Sequence, residues 1–265
     1  MENKTLVVCG DSFNYGIGCT NQHTQPYGVL TAKSLDWNLI RLARGSSSNY
    51  TTHLQGNYAA TMNPKPHLVI LGITSYDRVE WVSTGNEIDR EPTLEDLNYH
   101  LYPPHHFPQP CHDAAMEFYL QDNPKYAPKI LSEQVVAFSD YLQFAKRNEH
   151  NNYYERLHTE SIKKLELIEQ HYLEVVNSWI KRDYDTGVLL LAYRKIKKAG
   201  INCIIFGADT RYAELVDDER DFFHQDWGRV TRLWPDSTGS MHTGEGGHAD
   251  TADRLIAHIN NNGFK

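Results

Sequence analysis

Two short stretches near opposite ends of the chain carry the side chains best suited to chemistry. Gly10-Asp11-Ser12 directly follows the apolar run Leu6-Val7-Val8-Cys9. A serine just past the carboxyl end of a first strand lies where open α/β sheets place their ligands. The glycine before it permits a tight turn, and a helix after it would aim N-terminal N–H groups at the serine. The second stretch is Ser240-Met241-His242-Thr243-Gly244-Glu245-Gly246-Gly247-His248, with Ala252, Leu255 and Ile256 behind it. A histidine on a glycine-rich loop, fixed by a following helix, is a common way to present a general base. Each stretch taken alone also has a plain reading. Gly-Asp-Ser turns arise by chance, and a lone loop histidine is more often a surface residue.

Positioning two such groups requires elements that bring the chain ends together. Residues 5–9, 37–43, 67–72 and 201–206 are short β-rich runs. Between and after them, 26–35, 49–62, 187–199 and 247–260 read as helices, the second with an Asn or Thr cap. Strand and helix in alternation imply a parallel sheet with right-handed crossovers. Arg194, Lys195, Lys197 and Lys198 suit the end of their helix, and Gly200 stops it. The stretch 207–240 reads as loop. Two further loops end strands two and three: Ala43-Arg44-Gly45-Ser46-Ser47-Ser48-Asn49 and Leu71-Gly72-Ile73-Thr74-Ser75-Tyr76-Asp77-Arg78. Both are small and polar, and both would face the serine across the carboxyl edge of the sheet.

The rhythm breaks between about residues 80 and 183. Residues 80–128 are rich in Pro, His, Tyr and Asn. In 130–182, Ile162, Leu165, Ile168, Tyr172, Val175, Val176 and Trp179 draw an apolar stripe, best read as core packing. The expected organisation is an α/β core over 1–80 and 184–265, split by a largely helical insertion or lid over 81–183.

Composition narrows the function. The chain has 265 residues, with 26 Lys+Arg against 34 Asp+Glu and a net charge of −8. That balance argues against a nucleic-acid binder, which needs a basic face. No apolar run approaches the about 20 residues that span a bilayer, and the N-terminus lacks the pattern of a secretory signal. The expectation is a cytoplasmic protein with no nucleic-acid or membrane partner. Cys9, Cys19, Cys111 and Cys203 have no CxxC spacing and read as reduced thiols.

Taken in order, the four loop blocks resemble the SGNH (GDSL) hydrolase family, whose fold is a three-layer α/β/α sandwich with a flavodoxin-like, mostly parallel sheet. The resemblance covers the core at both ends and none of the insertion. It implies a serine esterase: Ser12 is the nucleophile and His242 the base. The oxyanion hole falls to backbone N–H groups, with Ser48 or Gly45 as the second-block donor. Where the family's third block has an Asn donor, this chain has Thr74. Where the family's acid stands, three residues before the histidine, it has Gly239, and Asp236 is the nearest upstream carboxylate. Asp11, Asn49, Ser75 and Arg78, on the same loops, are the candidate substrate-binding residues. The implied substrate is a small acyl ester, for instance an O-acetyl group on a carbohydrate. Residues 72–80 are also similar to uncharacterised phage-encoded members, which makes the virion an alternative location.

Rival sites carry less. His100, His105, His106 and His112 crowd near Cys111, but without a metal-ligand spacing they read as an exposed loop. His242, Glu245, His248 and Asp250 make a metal cluster on paper, and His248 is more simply a packing residue. Arg78 either holds an anionic substrate group or pairs with Glu80. The insertion's aromatics (Tyr99, Tyr102, Phe107, Phe118, Tyr119, Tyr126) suit a sugar-stacking wall, a lid core or a subunit interface equally. The expectation is therefore an esterase without metal or cofactor. The alternative is a degenerate binding or structural module, such as a phage virion component, that forms homo-oligomers or assembles through the insertion.

Overall fold

The computed structural model describes residues 4–45, 47–76, 80–82, 135–137, 178–237 and 242–264. Five strands form the central sheet: β1 (Thr5–Cys9), β2 (Asn38–Arg41), β3 (Leu68–Gly72), β6 (Asn202–Gly207) and β7 (Phe222–His224). Their order is β2-β1-β3-β6-β7 and every pairing is parallel. Numbered within this sheet alone, the order is 2-1-3-4-5, the flavodoxin-like arrangement. The register sets Val7 between Ile40 and Val69, and Ile70 beside Val8 and Ile204. Between β3 and β6 the chain makes a separate antiparallel pair, β4 (Glu80–Val82) with β5 (Val135–Ala137).

The sheet is buried on both faces, which is why its inner strands read as continuous apolar runs. Side chains alternate between two cores. Val7, Cys9, Val69, Leu71, Cys203 and Ile205 face one of them, closed by Leu54, Leu189, Ala192, Tyr193 and Ile196. These closing residues lie on α3 (Asn49–Thr61) and α4 (Ser178–Lys198). Leu6, Val8, Leu68, Ile70, Ile204 and Phe206 face the other core. There they meet Tyr27 and Ala32 of α2 (Tyr27–Leu35), Trp227 and Val230 of α6 (Trp227–Leu233), and Ala252, Leu255 and Ile259 of α7 (Glu245–Asn261). The molecule is a three-layer α/β/α sandwich with a flavodoxin-like parallel sheet, the fold class expected from the sequence.

Three local readings change. The stretch 207–240 holds α5 (Arg211–Leu215), a 3-10 turn (Glu219–Asp221), β7 and α6. A three-residue edge strand is too short to show a period, and α6 is started by Asp226, whose Oδ1 accepts from Arg229 N–H at 3.0 Å. The helix read from residue 187 begins at Ser178. Gly187 lies inside it with open space where a Cβ would stand, so the glycine weakens the helix by about 1 kcal/mol without ending it. The 183/184 boundary thus falls within α4. The cap of α3 is Ser48, whose Oγ accepts from the N–H groups of Tyr50 and Thr51, and neither an Asn nor a Thr. Cys9, Cys19 and Cys203 are free and buried. Cys111 and the insertion between β4 and β5 and between β5 and α4 lie outside the described residues, as does the apolar stripe up to Val176. No described helix is long and apolar enough to cross a membrane.

Ile204, fully buried at the centre of β6, tests the core directly. Ile204→Ala should lower the unfolding free energy by about 2–5 kcal/mol in urea titrations, because the rigid sheet cannot collapse into the cavity.

Candidate active site

The turn after β1 is held from several sides. Gly10 has φ +136°, and a Cβ there would meet the Asn14 side chain. Gly72, at the end of β3, is barred from a side chain by the same Asn14. Asn14 therefore fills the space above both strand ends. Its Nδ2 donates to Asp11 Oδ1 at 3.0 Å, and its Oδ1 accepts from Tyr27 Oη at 2.8 Å. From α3, Gln55 clamps Gly10: Oε1 accepts the Gly10 N–H at 2.6 Å and Nε2 donates to its carbonyl at 3.3 Å. Asp11 caps α1 (Ser12–Tyr15) by accepting the Phe13 N–H at 3.1 Å. Ser12 is the first residue of that short helix and is 3% exposed. Among the described residues its hydroxyl has no hydrogen-bond partner, and such bonds are often long until substrate binds.

Facing this turn are the loops after β2 and β3. Gly45 and Ser48 are both buried here. Ser48 uses its hydroxyl oxygen as the α3 cap, and its carbonyl accepts from Thr52. Thr74 donates its hydroxyl proton to Asp11 Oδ2 at 2.8 Å. Asn49 is fully buried: its Oδ1 accepts the Thr74 N–H at 2.9 Å, and its Nδ2 donates to the Thr74 carbonyl and to Asp185 Oδ2. Asp11 and Asn49, expected to contact substrate, instead have side chains directed into the fold, where they tie loops together. Ser75 is exposed beyond Thr74. Asp77 and Arg78 lie outside the described residues, as do His100, His105, His106 and His112.

The far end of the chain closes the site. An antiparallel bridge joins Pro235 to Thr243. Around it, Asp236 N–H donates to the His242 carbonyl at 3.2 Å, Gly244 N–H to the Trp234 carbonyl at 2.8 Å, and Thr243 Oγ1 to the same carbonyl at 3.0 Å. This neck fixes Asp236, which is buried, directly across from His242. Gly247 lets α7 abut the loop, since a Cβ there would clash with Thr243 Oγ1 and Val230. On the other side Gly18, with φ +101°, lies against the Thr243 carbonyl and His242 Cβ. The His242 ring packs on Phe13, the residue after Ser12, with centroids 4.9 Å apart. Phe13 in turn stacks on Trp227 at 5.3 Å.

His248 has the packing role. It lies between Tyr27 and Trp227, and its Nδ1 accepts the Tyr27 N–H at 3.4 Å. Burial, and secondarily the charge of nearby His242, push its pKa down to about 3, so it stays neutral. Glu245 accepts from Thr20 N–H and Oγ1, which hold its carboxyl below the usual range. Among the described residues no three His, Cys, Asp or Glu side chains converge as metal ligands would. The sequence singled out Ser12, Thr74, Asp236 and His242. It gave no sign of Asn14, Tyr27, Gln55 and Asp185, whose partners are non-local or lie among unremarkable polar residues.

No protein-family model matches the chain, and no curated protein matches it. Among solved structures it is similar to a salicylyl-acyltransferase from a tetracycline biosynthetic pathway, with TM-score 0.35 and 12% identity over 99% of this chain and 56% of that one. It is also similar to a carbohydrate esterase whose active site displays divergent catalytic and non-catalytic binding functions (TM-score 0.33, 14% identity, 97% of this chain, 65% of that one). A third is a Corynascus thermopiles (Myceliophthora fergusii) carbohydrate esterase family 2 enzyme with a carbohydrate binding domain (TM-score 0.34, 12% identity, 99% and 67%). The chain thus spans just over half the length of the first of these structures.

Two outcomes follow from this geometry. Gly72→Ala should destabilise the fold by about 1–3 kcal/mol in chemical unfolding, because the new methyl displaces the buried Asn14 amide. His248 is neutral in the folded state but takes up a proton near its ordinary value of 6.5 when unfolded. Its contribution to stability is therefore full above that pH and lost as pH falls toward about 3. The urea midpoint should fall between about pH 6.5 and pH 5, before most carboxylates titrate, and His248→Phe should flatten that slope.

Proposed function

We propose that the protein is an SGNH-type serine esterase acting on a small acyl ester, with O-acetyl groups on a carbohydrate as the first substrate class to examine. The observation that carries this reading is the meeting of two distant stretches. His242 packs on Phe13 beside Ser12, and the Pro235–Thr243 bridge sets Asp236 opposite it. In the proposed reaction Ser12 Oγ attacks the ester carbonyl while His242 accepts the hydroxyl proton. His242 then delivers that proton to the departing alcohol, leaving an acyl-Ser12. Water, deprotonated by His242, attacks the acyl carbon; the acid leaves and the proton returns to Ser12. Asp236 would orient the imidazole and stabilise its charged form, as the acid of a triad does. The Ser12 and Ser48 N–H groups would hold the oxyanion.

One specific observation favours a second reading, a catalytically degenerate binding or structural module. The Thr74 hydroxyl, standing where the family has a side-chain donor, gives its proton to Asp11. Loss of one oxyanion donor typically lowers kcat by about 100- to 1,000-fold. In that reading the chain binds a ligand or assembles, as a homo-oligomer or in a phage virion, through the residues between β3 and α4.

Hydrolysis of p-nitrophenyl acetate separates the two. The esterase reading expects turnover by the native chain, background rates for Ser12→Ala and His242→Ala, and a loss of about 10,000-fold or less for Asp236→Ala. Equal, background rates for the native chain and Ser12→Ala, on this ester and on acetylated glycans, would support the module.

A further inference from the structure

Thr74 is the centre of a continuous polar chain that reaches from α4 to the Ser12 turn. Lys181 Nζ donates to Asp185 Oδ1, one turn along α4. Asp185 Oδ2 accepts from Asn49 Nδ2 at 3.0 Å, and Asn49 grips both backbone polar groups of Thr74, at 2.9 Å and 3.2 Å. Thr74 Oγ1 donates to Asp11 Oδ2 at 2.8 Å, and Asp11 Oδ1 accepts the Phe13 N–H at 3.1 Å, beside Ser12. Asp185 and Asn49 are fully buried, and Asp11 and Thr74 nearly so. Each link therefore pairs a group that would be costly to leave unpaired. A hydroxyl has one proton, so the bond to Asp11 leaves Thr74 none for a substrate oxyanion.

We propose that Thr74 is a positioning residue and not an oxyanion ligand: with Asn49 and Asp185 it forms a polar strut by which α4 holds the Asp11–Ser12 turn in register. This rests on the esterase reading only for its effect on rate. The strut itself is a statement about the turn. It gives Asp11, Asn49 and Thr74 a single role and adds Asp185, three links from Asp11, to the residues on which the site depends. Ser12 presents its N–H at the start of α1, and Asp11 is the cap that fixes that start. Release of Asp11 from Thr74 removes one of the ties that hold that start.

The test uses the full chain with Thr74→Val, Thr74→Ser and Asp185→Ala. It measures hydrogen–deuterium exchange over residues 10–15 together with kcat and KM for p-nitrophenyl acetate. Thr74→Val should speed exchange in that segment by about tenfold or more and lower kcat by about tenfold with KM within about twofold. Thr74→Ser should restore both. Asp185→Ala should also speed exchange over residues 10–15, although Asp185 touches neither Asp11 nor Ser12, and it decides the matter if Thr74→Val does not fold. The strut is overturned if residues 10–15 are as protected in Asp185→Ala as in the native chain, or if Thr74→Ser is as damaging as Thr74→Val. A native chain without esterase activity overturns the esterase reading instead, and the exchange measurements still decide the strut.

Discussion

The Asp11 carboxylate sits where the carboxyl edge of the sheet is tied together, and most of the surrounding sequence is constrained by keeping it satisfied. A buried carboxylate is several kcal/mol unfavourable unless donors replace its water. Here the Phe13 N–H, the Asn14 amide and the Thr74 hydroxyl do so. To bring these three donors to one residue, the turn after β1 must fold back on itself and β3 must end beside it. That in turn requires Gly10 and Gly72, because Asn14 occupies the volume their side chains would need. Gln55 then fixes Gly10 from α3 and Tyr27 fixes Asn14 from α2. Elements from both faces of the sheet thus converge on one turn, and Ser12 is part of it.

This arrangement changes how charge could be stabilised at the site. The Thr74 hydroxyl and the Asn49 amide are engaged inward, so in the proposed esterase the oxyanion falls to the backbone N–H groups of Ser12 and Ser48. Backbone donors are rigid when their loop is rigid, and preorganisation decides what they are worth. In that reading the inward network exchanges one directly placed donor for ties on the segments that carry the rest. The same network reaches α4, where the paired Lys181 and Asp185 make the last link.

The histidines divide along the same lines. His248 is sealed between two aromatic rings and kept neutral by burial, so it acts as a shaped packing piece at the start of α7. His242 sits on the loop outside that core, half-buried against Phe13. Close approach by Gly18 and Gly247 sets the loop's path. Two residues of the same type, six apart, differ in setting because one lies within the core and the other on the loop beside Phe13.

The sequence by itself determined the layered α/β architecture. β1, β3 and β6 are buried on both faces and so appear as unbroken apolar runs, and the helices between them carry caps and stops at their ends. It also marked Ser12 and His242, because a residue just past a strand and a histidine on a glycine-rich loop are local patterns. Only the tertiary structure decided what Asp11, Asn49 and Thr74 do. In sequence they are polar loop residues, indistinguishable from ligand contacts, and it is burial against partners up to 136 positions away that turns them into ties. Likewise only the Pro235–Thr243 bridge shows that the backbones of Asp236 and His242, six positions apart in sequence, lie opposite each other. β7 and α6 escaped notice for the complementary reason. An edge strand of three residues carries no period, and its place is fixed by hydrogen bonds to β6 that only the folded sheet provides.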